Sequence, residues 1–353
     1  MLKRLKIKNF TVFQEADFEF ADGLNVIVGE NGAGKTHVLK LAYSLIAVSA
    51  RGERESGSPK PTKTHLSIAM AKKLVGVFKP DDLGRLVHRQ QGRNSCEVQA
   101  FYSASKPKIL DLGFSFNTSS KPEVKVETVP SEWEKYPPVY LPTRELLTIA
   151  PGFVSMYENS FVPFEEIWRD TCLLLEAPLA RGPREESIKP LLAPIEKQLG
   201  GKVVLDKSGR FYLQLKSGFL EAYLVAEGLR KLAMIARLIA TGSLSDKGYL
   251  FWDEPEANLN PKIIKKVAVT ILQLCKAGIQ VFIASHSLFL MRELDILLKH
   301  DDNKQIRSRF FGLHPTDHGV SIQQGNSVDE IGTIDALQES LSQSDRYLEA
   351  EGI

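Results

Sequence analysis

Gly29-Glu30-Asn31-Gly32-Ala33-Gly34-Lys35-Thr36 has the spacing G-x-x-x-x-G-K-[ST]. The chemistry of phosphate binding needs that spacing. Glycines let the backbone curl until successive N–H groups point at phosphate oxygens. A helix starting at the end of the loop adds the positive end of its dipole. Lys35 then reaches the β- and γ-phosphates as a point charge, and the Thr36 hydroxyl is placed for Mg²⁺. A second constellation lies far downstream. Tyr249-Leu250-Phe251-Trp252 is an apolar run ending in Asp253-Glu254. Asp253 suits the carboxylate partner of a Mg²⁺ site, and Glu254 can orient or deprotonate a water attacking a γ-phosphate.

The elements around these residues fit that reading. Leu24-Asn25-Val26-Ile27-Val28 is a β-branched run typical of a strand buried in a sheet. Leu39, Leu41, Leu45 and Ile46 predict a helix over 36–48, directly after the glycines. Residues 51–64 are polar, with Gly, Ser and Pro, and predict a loop. A short helix is predicted over 66–74, then strands at Cys96–Ser103, Lys108–Phe116 and Glu123–Val129, a small antiparallel sheet. From 151 to 199 the pattern is helical but broken by prolines at 163, 178, 183, 190 and 194. Residues 201–215 form a hairpin around Asp206–Gly209, and 221–239 form a long helix. Pro261–Ala277 is a helix and Gln280–Ala284 a buried strand, followed by Ser285-His286-Ser287.

This order of glycine loop, glycine-containing helix start, Asp253-Glu254-Pro255-Glu256 and Ser285-His286-Ser287 resembles the ATP-binding-cassette ATPases. Within them it resembles the chromosome-maintenance, RecF and OLD-type branch, and above all compact bacterial AAA-family ATPases found in phage-defence systems. The resemblance is strong over 1–48 and 220–290 and weak between. It implies an α/β P-loop fold: an ABC-type ATPase head with an antiparallel β lobe and a helical subdomain. It implies ATP and Mg²⁺ as ligands. Lys35, Thr36, Asp253 and Glu254 keep the roles given above, and His286 corresponds to a switch histidine contacting the γ-phosphate. Ala257–Asn260 corresponds to a loop coupling two subunits. Val225–Lys231 stands where the family's signature motif faces the nucleotide of a second subunit. Gly228 would let backbone N–H groups approach that phosphate. Ala226 replaces the usual serine and Glu227 brings negative charge, which Lys231 or Arg230 would offset. The resemblance also leads one to expect a glutamine near Val139–Glu145; none is there. Thr143 or Glu145 would have to substitute for it. His88-Arg89-Gln90-Gln91-Gly92-Arg93 reads as a basic loop.

Length and composition limit what else the chain does. With 45 Lys and Arg against 43 Asp and Glu, the net charge is +2, which excludes coating nucleic acid by bulk charge but leaves a local contact open. Cys96, Cys172 and Cys275 are too scattered for a disulfide framework or a zinc site. No signal peptide or membrane span is read, so a soluble cytoplasmic protein is expected. Roughly 190 residues separate Thr36 from Gly228, too few for a coiled-coil arm, and about 100 follow Glu254, too few for a fused nuclease domain. The expected organisation is a discontinuous ATPase domain over 1–150 and 200–310, a helical subdomain over 151–199, and an acidic C-terminal segment over 311–353 that docks a partner or packs on its own domain. The expected partners are a second copy of the chain in an ATP-dependent homodimer, possible higher assemblies, and a separate effector such as a nuclease in antiphage defence. The rival readings are a RecF-like repair ATPase binding DNA and a transporter motor.

Overall fold

The computed structural model describes residues 1–352 apart from 90, 91, 93, 104–108, 246, 318 and 334. An antiparallel sheet runs β2-β1-β4-β5-β6, formed by β1 (Leu2–Phe10), β2 (Phe13–Glu19), β4 (Ser95–Ser103), β5 (Ile109–Asn117) and β6 (Lys125–Thr128). A larger sheet runs β14-β13-β3-β12-β11-β7. Its members are β3 (Leu24–Gly29), β7 (Pro138–Leu141), β11 (Gly248–Asp253), β12 (Ile279–Ser285), β13 (Ser308–Thr316) and β14 (Gly319–Gly325). All of its pairings are parallel except β13 with β14. Every residue of β3, β11 and β12 is buried, because this sheet is covered on both faces.

Alternation along the strands sends side chains to two cores. Ile27, Phe251, Phe282 and Phe311 face the antiparallel sheet, α1 (Lys35–Ser56) and α2 (Lys63–Phe78). Val26, Val28, Trp252 and Ile283 face the other helices. These are α3 (Phe153–Asn159), α4 (Glu166–Glu176), α5 (Pro183–Leu199), α6 (Glu227–Ala240), α7 (Pro261–Lys276) and α8 (Leu288–Leu298). The last helix, α9 (Asp335–Glu351), lies against α8. A third sheet, β10-β9-β8, joins β8 (Gly201–Leu205), β9 (Phe211–Leu215) and β10 (Gly218–Glu221). No helix among the described residues is long and apolar enough to cross a membrane.

The structure differs from the sequence reading at several boundaries. α1 continues to Ser56 through the stretch expected to be a loop, because Arg51 pairs with Asp170 and Gly52 packs under the Trp133 ring. α5 is not broken at Pro190 or Pro194; buried Ile188, Ile195 and Leu199 hold one face of it down despite the missing N–H groups. The helix expected from 221 starts at Glu227, since Gly218–Glu221 pair with β9. The central sheet does not end near 310. Phe310 and Phe311 of β13 lie opposite Val26 and Ile27, so the chain through Gly325 belongs to the central sheet and not to a C-terminal segment. The 151–199 helices share the core of α6 and Trp252 and have none of their own.

Candidate functional site

The glycine loop leaves the C-terminal end of β3 and enters α1. Gly29 must lack a side chain because a Cβ there would lie 2.8 Å from the Leu313 carbonyl oxygen of β13. Gly34 has φ 92° and sits against Val12 and the Phe13 ring, so both its backbone and its surroundings require glycine. Gly32, with φ 84°, faces open space beside exposed Asn31, while Ala33 is buried and its N–H bonds the Glu30 carbonyl. The Lys35 ammonium donates to the Gly29 and Glu30 carbonyls at 2.8 Å each, drawing the loop into a ring. Burial lowers the Lys35 pKa, opposed by the carboxylates of Glu254, Asp253, Glu256 and Glu30. α1 has no acid in its first turn and no side-chain cap, so its leading N–H groups are left for an anion.

The second constellation meets the first as the sequence order requires. The Thr36 hydroxyl lies 3.0 and 2.9 Å from the two Asp253 carboxylate oxygens, although the residues are far apart in the chain. Burial pushes Asp253 up to about 6; the Thr36 hydrogen bond pulls it down, and Glu254 adds to the rise. A hydroxyl and a buried carboxylate side by side, beyond a ring of backbone N–H groups, fit Mg²⁺ bound with a nucleoside triphosphate. Glu254 has φ 45°, unusual for a non-glycine residue, and its N–H bonds the Ala284 carbonyl at 2.9 Å. The turn brings its carboxylate 3.2 Å from Nδ1 of His286. Beneath them Glu256 is buried and accepts from the Ser285 hydroxyl at 2.6 Å and the His286 N–H at 3.4 Å. Glu256 was not singled out from sequence; its signal was the second glutamate of Asp-Glu-Pro-Glu.

No glutamine occupies the end of β7. Instead the buried Tyr140 hydroxyl comes to 3.5 Å from Asp253. Glu145 is committed elsewhere. It forms an ion pair with Arg230, 2.8 Å from Nε, and accepts from the Thr148 hydroxyl at 2.6 Å. The start of α6 packs on the 254–260 loop: a Cβ on Gly228 would meet Leu259 at 2.8 Å and Ile263 at 3.3 Å. Lys231 needs correction. It is fully buried, and its ammonium donates to the Ala257 carbonyl at 2.7 Å, so it props that loop and is not available to an external phosphate. Of the basic loop, His88 bonds the Thr11 carbonyl at 2.7 Å, while Gln90, Gln91 and Arg93 lie outside the described residues. A cavity of about 760 Å³ opens beside Asn31 and Gly32, lined also by His37, Phe78 and Arg85. Burial lowers His37 to about 4, so its imidazole is neutral at physiological pH.

Comparison with known proteins agrees with this geometry. Residues 103–292 match the family described as "AAA domain, putative AbiEii toxin, Type IV TA system", and residues 4–112 match an AAA domain family. The DNA replication and repair protein RecF of Proteus mirabilis is 47% identical over 45 residues, which is 13% of this chain and 12% of that protein. RecF of Limosilactobacillus fermentum is 30% identical over 113 residues, 32% of this chain and 26% of the relative. The matches therefore span about an eighth to a quarter of those relatives' length. An SMC head solved bound to the C-winged helix domain of ScpA superposes with TM-score 0.56 at 13% identity, covering 93% of this chain and 98% of that one. The fold is thus the ABC-type P-loop ATPase head of the SMC and RecF kind, and by the match over more than half its length the chain belongs to the first of those two AAA-domain families.

Proposed function

We propose that the chain is an ATP-binding and hydrolysing switch that closes head to tail with a second copy and controls a separate effector protein. The observation that carries it is the meeting of Thr36 with Asp253, and of Glu254 with His286, at the ends of neighbouring parallel strands. The loop N–H groups and Lys35 hold the phosphates. Mg²⁺, when bound, would neutralise charge on the β- and γ-phosphates, with Thr36 and Asp253 holding it. Glu254 stands where a carboxylate can orient a water and take its proton, and His286 fixes that carboxylate's position and can touch the γ-phosphate. Gly228, at the start of α6, offers its backbone to the nucleotide of the second copy. Closure with ATP and opening after hydrolysis would bias the partner's state.

The Glu254→Gln variant keeps the shape of the site but removes the base. It is expected to bind ATP, to turn over at least about a hundredfold more slowly, and to accumulate as a dimer by light scattering. A strict monomer at saturating ATP would refute the sandwich. We place the switch in the cytoplasm, as a sensor or regulator in antiphage defence, a setting supported by the toxin-related family match. Deletion that leaves phage sensitivity unchanged, together with no binding to the protein encoded beside it, would refute that setting. A second reading, a repair ATPase working on DNA, is supported by the RecF relatives. It predicts that DNA stimulates ATP hydrolysis.

A further inference from the structure

The β10-β9-β8 sheet has an outer face of unusual chemistry. Its register sets Lys202 opposite Gln214 and Gln214 opposite Phe219, and in the next row Val204 opposite Tyr212 and Tyr212 opposite Glu221. The alternate residues Val203, Leu205, Phe211, Leu213, Leu215 and Leu220 pack into the core, so those rows point outward. Phe219 is 62% exposed, and Tyr212 is half-buried. They are diagonal neighbours, about 7–8 Å apart in such a ladder, far enough to receive separate planar groups. Lys207 and Arg210 flank the β8–β9 turn and Lys216 the β9–β10 turn, all exposed.

The cations here make no close ion pair, although Glu196 lies within electrostatic reach of Lys202 and Asp206 of Arg210. Among the described residues, Lys202, Lys207, Arg210 and Lys216 have no carboxylate oxygen within the 4.0 Å of an ion pair, unlike Arg4 with Asp17 at 2.6 Å. Asp206, the acid in the turn, is spent on it: its carboxylate accepts the Ser208 and Arg210 N–H groups, which lower its pKa. Glu221 stands directly across from Tyr212 and is the one acid in the two outward rows. On the outer face of the antiparallel sheet the cations instead have acids directly across the strands. Lys6 faces Asp17 and Lys8 faces Glu15 and Glu97 across the strands. With a net charge of only +2 over the whole chain, the hairpin is a local concentration of positive charge.

Two aromatic faces a strand apart, rimmed by cations that make no close ion pair, match one ligand chemistry: stacked bases on a phosphate backbone. An acidic peptide would use the cations but leave the rings idle, and a duplex hides its base faces. We infer that the outer face of β8–β10 binds single-stranded nucleic acid, with bases on Phe219 and Tyr212 and phosphates on Lys202, Arg210 and Lys216. The inference gives the repair reading a strand class and a surface, and rests on that reading for its setting. Binding itself is measured without ATP, so the two fail separately.

The test is fluorescence anisotropy with the full chain at low salt. The probes are labelled oligothymidylate and oligouridylate of about 20 nucleotides and a duplex of the same length. One or both single strands are expected to bind, whichever sugar they carry, at least about tenfold more tightly than the duplex. Phe219→Ala and Tyr212→Ala should each weaken binding about tenfold. Lys202→Ala and Lys216→Ala should each reduce the slope against log salt by about 0.7, while Lys8→Ala changes nothing. Phe219 is exposed, so Phe219→Ala should remain folded, and circular dichroism checks Tyr212→Ala, whose ring is half-buried. Absence of binding, equal binding of the duplex, or indifference to Phe219→Ala would overturn the inference. So would loss of the ATP-dependent dimer in Phe219→Ala without any effect on the oligomers, which would give this face to a second copy.

Discussion

Asp253 is caught between two demands: it is buried where ionisation is costly, yet only the carboxylate can serve a cation. Its folded pKa of about 6 exceeds its ordinary value of 3.8, so its contribution to stability is fully present below 3.8 and is lost as pH rises through about 6. Binding runs the other way. Affinity for Mg²⁺ with a fluorescent ATP analogue should be flat above pH 7 and fall about tenfold per unit once pH drops below 6. In Asp253→Asn affinity should be lower and the pH profile flat; a wild-type profile that is already flat to pH 5 would refute the assignment. The residues of this chemistry were legible because the spacing of glycines, lysine and acids is itself the chemistry. Lys231 was misread for a physical reason. A lysine stem is apolar enough to be drawn inside, and whether its ammonium meets solvent or the Ala257 carbonyl depends on a loop folded from elsewhere in the chain. Tyr140 was equally hidden, since a tyrosine in a strand reads as core until its hydroxyl is found beside Asp253.

Among the elements, α4 ties the helical region to the nucleotide loop's own helix. Asp170 of α4 is buried and receives Lys73 of α2 at 2.5 Å, Arg51 of α1 at 3.0 Å and the Tyr43 hydroxyl at 2.7 Å. Beside it Lys40 pairs with Glu165, and Thr171 donates to the carbonyl of Tyr140. Burial alone would raise Asp170, but Lys73 and Arg51 override it and hold the group at about 2. Its stabilising contribution is therefore present above 3.8 and lost as pH falls towards 2. Asp170→Asn removes one of the two carboxylates on Lys73, leaving Glu166 at 3.0 Å, and should cost about 1–3 kcal/mol, read as a lower urea midpoint at pH 7. The difference from wild type should shrink at pH 3. A midpoint unchanged at pH 7 would show the network to be energetically idle. This clamp also explains why α1 outran its expected end: local sequence over 51–56 is loop-like, and Arg51 is held helical by a partner more than a hundred residues away. In α5 the apolar spacing of Ile188, Ile195 and Leu199 outweighed two prolines, a contest that pattern reading alone does not decide.

For the whole molecule, the sandwich predicts complementation between dead copies. Lys35→Ala removes the phosphate-binding lysine, and Gly228→Asp blocks the face offered to the other copy. Each should be inactive alone, yet a mixture rebuilds one intact site per mixed dimer and should recover up to about a quarter of wild-type turnover. Circular dichroism must first show Gly228→Asp folded, because Leu259 and Ile263 crowd that position. No recovery from two folded variants would refute a site shared between copies. That the two motif-bearing halves build one site was legible from their order. The third neighbour was not: β13 looked like the start of a tail, because an isolated apolar strand carries no sign of which sheet it will join. Its position has a consequence for synthesis. β3 pairs only with β12 and β13, whose first residues follow it by about 250 positions or more. At roughly 5–20 residues per second, the apolar run Leu24–Val28 leaves the ribosome some 10–50 s before either neighbour exists. A nascent or truncated chain ending before Ile279 therefore carries the whole glycine motif without the sheet that shapes it, and neither ATP nor its analogues should protect such a fragment from proteolysis.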